Sequence, residues 1–151
     1  MLTKAKELLP LMKRIIEYSS SIDSLEARQE DGPEGNLEEL AQLRQEYAAL
    51  LESMSREDLL IIRAVADIGI SERGHRSERG HRLTGEGEGP AYRESTFEIE
   101  IRSTPEELLA NYHQYLVYHT KEQEIRYFFG RCVGLNLSEG IHILELEHCL
   151  R

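Results

Sequence analysis

Two cysteines in 151 residues are too few for a disulfide scaffold, so the fold must hold by packing. Uncharged apolar runs are also missing: none approaches the 18 or so residues of a membrane span. The first 22 residues carry Leu8, Leu9, Leu11, Met12, Ile15 and Ile16, but Lys4, Lys6, Glu7, Lys13, Arg14 and Glu17 interrupt them, which is no signal-peptide core. Basic residues are outnumbered, 18 against 28 acidic, for a net charge of −10. Such a surface repels nucleic acid and anionic membranes at long range. There is no Walker A sequence, no dinucleotide-type glycine pattern and no serine elbow. What is present, 40% hydrophobic residues, suits a globular chain and argues against disorder. The expectation is one cytoplasmic domain with reduced thiols, spanning 1–151.

Helical periodicity dominates. Residues 4–21 place Leu8, Leu11, Met12, Ile15 and Ile16 near one face, with Pro10 marking a kink or a nearby start. Residues 23–36, DSLEARQEDGPEGN, read as a polar surface loop. Asn36 and Glu39 have capping-box spacing for a second helix. Its Leu40, Leu43, Tyr47, Leu50 and Met54 step 3, 4, 3, 4, a two-heptad seam. Ser55 and Asp58 cap a third helix that is apolar from Leu59 to Ile68 except at Arg63 and Asp67, and Gly69 is placed to end it. The short link between them predicts an antiparallel hairpin.

The middle changes character. Six of the 11 glycines fall between Gly69 and Gly89, with the hexapeptide SERGHR at 71–76 repeated at 77–82 and GEGEGP after it. Gly74 and Gly80 argue against helix there, so a flexible loop is expected over about 69–95. Phe97, Ile99 and Ile101 alternate with charges, as in a short strand or one arm of a hairpin. Thr104, Pro105 and Glu107 start another helix, and Thr120 with Gln123 a further one whose buried face includes Phe128, Phe129 and Cys132. Gly134 would stop that helix, and Ser138 would cap the last. The fold expected is mainly α, about six helices in a compact bundle around a glycine-rich central loop.

The segments SREDLLIIRAVADIG at 55–69 and KEQEIRYFFGRCVGLNLSEGIHIL at 121–144 resemble a bacterial family of small helical proteins of unknown function. The resemblance implies a helical fold and supplies no activity.

Candidate chemistry is sparse. The six histidines form three pairs spaced six residues apart, about 120° around a helix, so they do not share a face as metal ligands do. Glu145, His148 and Cys149 are an alternative zinc or thiol site, with Glu145 and His148 at i, i+3. Arg131 beside Cys132 would favour a thiolate, although a small buried hydrophobe fits that position better. In the repeat, Arg73, Arg76, Arg79 and Arg82 oppose only Glu72 and Glu78, an arginine cluster that suits phosphates or an acidic partner. Aromatics concentrate at Tyr112, Tyr115, Tyr118, Tyr127, Phe128 and Phe129, and tyrosine suits interfaces.

The leading expectation is a non-enzymatic helical interaction or regulatory module without a cofactor. It binds a protein partner or a second copy through Tyr47, Tyr112, Tyr115 and Tyr118, with the arginines tuning the contact. The alternatives are the small metal or thiol enzyme and an electrostatic protein, either an acidic decoy or an arginine-loop nucleic-acid binder.

Overall fold

A computed structural model describes residues 1–30, 37–83 and 104–147. The described residues form seven α-helices: α1 (Leu2–Glu7), α2 (Leu9–Glu30), α3 (Leu37–Glu52), α4 (Arg56–Leu83), α5 (Pro105–His113), α6 (Lys121–Phe128) and α7 (Val133–Leu144). One 3-10 turn, Gln114–Leu116, lies between α5 and α6. No strand occurs among the described residues, and none of their helices is long and apolar enough to cross a membrane. The expected strand at 97–101, the glycines from 85 to 89 and the Asn36 cap lie outside the described residues.

Pro10 acts where expected. Its ring removes the donor that would reach back one turn, and the helix breaks at Leu8 and restarts at Leu9. The expected loop over 23–36 is corrected: α2 continues to Glu30. Met12, Ile15, Ser19, Ile22 and Leu25 form one continuous buried stripe. Ser19 hides the periodicity because a serine reads as polar, yet it is buried and its hydroxyl accepts a hydrogen bond from the Gly134 amide at 3.1 Å.

The third helix also differs from expectation. Ser55 caps α4 through the Asp58 amide at 3.0 Å, and Leu59 to Ile68 are buried except for Arg63 and Asp67. Gly69 does not end the helix. The backbone stays helical to Leu83, through both copies of the hexapeptide and through Gly74 and Gly80, which corrects the expected loop over 69–83; the rest of that expectation lies outside the described residues. Gly69 is instead a contact residue. A Cβ there would lie 1.9 Å from the Asn136 carbonyl oxygen of α7, and a Cβ on Gly140 would lie 2.0 Å from the Val65 carbonyl oxygen of α4. The two helices run antiparallel, residue 65 facing 140 and 69 facing 136, with their backbones touching. Only glycine permits this approach.

α7 also docks on α2, where Gly134 sits against Ile16 and Ser20. Gly134 therefore lies in the first turn of α7 and Ser138 in its middle, a correction to both boundary expectations. The helix ends in a Schellman arrangement: Glu145 is left-handed (φ 55°), Leu146 N–H donates to Ile141 and Glu145 N–H to His142. On the other flank, α3 packs antiparallel to α2, with Arg44 paired to Glu26 and Tyr47 stacked 5.5 Å from Tyr18. α3 does not pair along α4 in the hairpin the short link suggested.

Gly69→Ala should destabilise the fold by about 2 kcal/mol despite alanine's higher helix propensity, because backbone must move away from backbone. A lower urea midpoint at unchanged slope measures this. Adding Gly140→Ala should cost less than the sum of the two single changes, since both open the same crossing.

Candidate functional site

The connection between α5 and α6 is fixed at both ends. Thr104 caps α5 in a complete capping box with Glu107, and Thr120 caps α6 in another with Gln123. Between them Leu116 is buried as an anchor. Arg56, in the first turn of α4, donates from Nε to the His119 carbonyl at 2.8 Å and from Nη2 to the Val117 carbonyl. This clamp leaves three apolar or aromatic side chains outside: Tyr115 is 75% exposed, Val117 41% and Tyr118 89%. Tyr112 is half-buried, and its hydroxyl donates to Glu72 Oε2 at 2.8 Å.

Behind the connection lies a buried carboxylate. Glu124 is fully buried, and Arg63 Nη1 donates to both of its oxygens, at 3.0 and 3.2 Å. His119 Nδ1 lies 2.6 Å from Glu124 Oε2, so the imidazole ties the connection to α6. Arg63 Nε reaches Asp67 Oδ1 at 3.3 Å, and the guanidinium carbon sits 3.8 Å from the Tyr127 ring centroid. Burial works against the charge on Arg63, but Asp67 and Glu124 outweigh it and hold the group above its usual value. Burial raises the Asp67 carboxyl, and Arg63 offsets only part of that rise. Burial, then the Asp67 charge, pushes the Tyr127 phenol up to about 12. The Tyr127 hydroxyl finds no hydrogen-bond partner among the described residues.

The contacts within this cluster are mutual. Every Glu124 oxygen is engaged, and the only imidazole on it is committed to the same contact. Sequence reasoning missed Glu124 and His119 as a unit. The available signal was Arg63 and Asp67, an opposite-charge pair at i, i+4 interrupting an otherwise apolar helix face, where the guanidinium has donors left over for a further polar partner.

The other expected site residues are dispersed. Tyr47 is buried, with its hydroxyl donating to the Phe128 carbonyl at 2.8 Å and its ring between Tyr18 and Phe129, so it offers nothing to a partner. The seam from Leu40 to Met54 is likewise absorbed by the core. Arg73, Arg76, Arg79 and Arg82 lie on helical backbone of α4 rather than on a loop. Cys132 is exposed and left-handed (φ 67°) at the start of α7, where its amide donates to Asp23; the buried-hydrophobe expectation is corrected because it occupies a turn, not the α6 face. Glu145 falls after the last turn of α7, which breaks the helical i, i+3 relation needed with His148; His148 and Cys149 lie outside the described residues. Among the described residues no group of three or more His, Cys, Asp or Glu is arranged to hold a metal ion. The notch bounded by Ser19, Asp23, Tyr47 and Phe129 has no room for a small molecule.

No protein-family model, curated protein or solved structure matches the chain.

Glu124→Gln should destabilise the protein by about 2 kcal/mol, because the two charge-assisted hydrogen bonds from Arg63 lose their ionised acceptor while Asp67 still pairs the guanidinium; urea unfolding at neutral pH measures it. Asp67 gives a pH signature. Its folded value is raised above the ordinary 3.8, so its contribution is complete below that value and is lost as pH rises through the higher folded value. Asp67→Asn cannot ionise. The stability of wild type relative to this variant should therefore fall as pH rises from about 4, in paired urea titrations.

Proposed function

We propose that this protein is a non-enzymatic helical interaction module, working in the cytoplasm, that docks a protein partner through Tyr115, Val117 and Tyr118. The observation that carries this reading is the combination of two almost fully exposed tyrosines with a backbone clamped by Arg56 and by the His119–Glu124 contact. Tyrosine and arginine dominate binding hot spots, and tyrosine buries a large rigid ring while its hydroxyl stays wet. A clamped backbone has little conformational freedom left to lose on docking. An enzymatic reading has less support. His119, the imidazole next to the buried carboxylate, is occupied with Glu124.

Replacing Tyr118 by p-benzoylphenylalanine should give a discrete protein adduct on irradiation in the cells that make the protein. The same group at the exposed Glu38 should not. Adducts of equal yield from both positions, or none from position 118, would sink the proposal; an adduct of twice the chain mass would make the partner a second copy.

A further inference from the structure

The charges around the tyrosines narrow the partner's chemistry, an inference that rests on the interaction reading above. Two cations beside this surface, among the described residues, are turned inward. Lys121 Nζ donates to the Glu52 carbonyl at 2.7 Å, and Arg56 is shared between the Val117 and His119 carbonyls and the Glu57 carboxylate. The nearby carboxylates face water. Glu52 is exposed at the end of α3, the Glu57 side chain is 75% exposed beside Arg56, and Glu122 is exposed in the first turn of α6. Arg56 and Lys121 thus spend their donors on backbone oxygens; Glu57 keeps only the 3.6 Å contact with Arg56, and Glu52 and Glu122 have no ion pair among the described residues. A second copy brings another −10 to the contact, which opposes self-association, and a nucleic acid would bring phosphates to carboxylates.

We propose that the surface formed by Tyr115, Val117 and Tyr118 receives an arginine-bearing basic segment of a partner protein. A guanidinium stacks on the exposed tyrosine face and is more weakly hydrated than an ammonium. Its fork can also engage a carboxylate in two parallel hydrogen bonds, and Glu57 and Glu122 supply carboxylates at the edge of the surface. Arginine is therefore preferred over lysine at equal charge.

The test is fluorescence anisotropy of labelled twelve-residue peptides titrated with the full chain at low salt. The peptides alternate alanine with arginine, lysine or glutamate. The arginine peptide should bind tightest, then lysine, and the glutamate peptide should not bind. Tyr115→Ala with Tyr118→Ala should weaken the arginine peptide roughly fivefold to thirtyfold while leaving the melting temperature unchanged. Glu57→Gln with Glu122→Gln should weaken it several-fold. Glu38→Gln with Glu39→Gln removes the same charge about 20 Å away along α3 and should change affinity less than twofold. Equal binding of arginine and glutamate peptides, no effect of the tyrosine changes, or equal effects of the two glutamine pairs would each overturn the inference. A protein adduct from position 118 together with any of those results leaves the interaction reading standing and removes only the basic partner. Absence of the adduct removes both.

Discussion

Backbone contact between α4 and α7 is the constraint on which the remaining arrangement depends. Gly69 faces the Asn136 carbonyl and Gly140 faces the Val65 carbonyl, so no side chain separates the helices at their crossing. Helices normally meet through interdigitated side chains, and removing them brings the two cylinders closer. Two consequences follow. The residues flanking the crossing, Val65, Ile68, Leu137, Ile141 and Leu144, are driven into one dense core. And α7, pulled against α4, is also held against α2 by Gly134 and Ser19, so three helices converge on one axis. α3, α5 and α6 then pack around that centre.

The cost of so apolar a central helix appears at Arg63 and Asp67. Both lie on α4, Arg63 just before the α7 crossing and Asp67 within its span, and neither escapes to full exposure. Burying a charge is tolerable only with a partner in good geometry. Glu124 of α6 provides it, and by accepting from His119 it extends the network into the α5–α6 connection. The same charges that fix α6 on α4 thereby fix the backbone that carries Tyr115 and Tyr118. Arg56 adds an independent tie from the first turn of α4. The exposed tyrosines stand on the most heavily cross-braced connection described in the fold.

Local chemistry was legible where a signal is short-ranged. The capping boxes at Thr104 and Thr120, the serine cap of α4 and the break near Pro10 all follow from a few adjacent residues. Failures share a cause: a small residue has two readings that only tertiary structure separates. Gly69 and Gly134 read as helix stops because glycine weakens an isolated helix, but each is a site of close approach, and packing overrides propensity. Ser19 reads as a polar position within the expected 4–21 helix but accepts a hydrogen bond from a buried amide. Within the candidate site, the tyrosines at 115 and 118 could be picked out by type, whereas Tyr47, of the same type, is core. The distinction depends on whether the next helix covers the ring, and nothing local encodes that. The His119–Glu124–Arg63 unit joins residues 61 positions apart in sequence and was visible only through the Arg63–Asp67 pair set in an apolar helix face.

The absorbed seam sharpens the functional argument. Had Leu40 to Met54 remained outside, the protein would present a broad apolar stripe suited to another helix. Its burial leaves a small aromatic surface instead. A small surface binds usefully only if little is lost on ordering it, since area alone does not set affinity. The capping boxes, the Leu116 anchor and the carbonyl clamps remove that cost before a partner arrives. They also direct the local donors inward, because Arg56 and Lys121 bond backbone oxygens. The side chains that hold the connection in place are therefore the same cations whose donors are withdrawn from its outer edge.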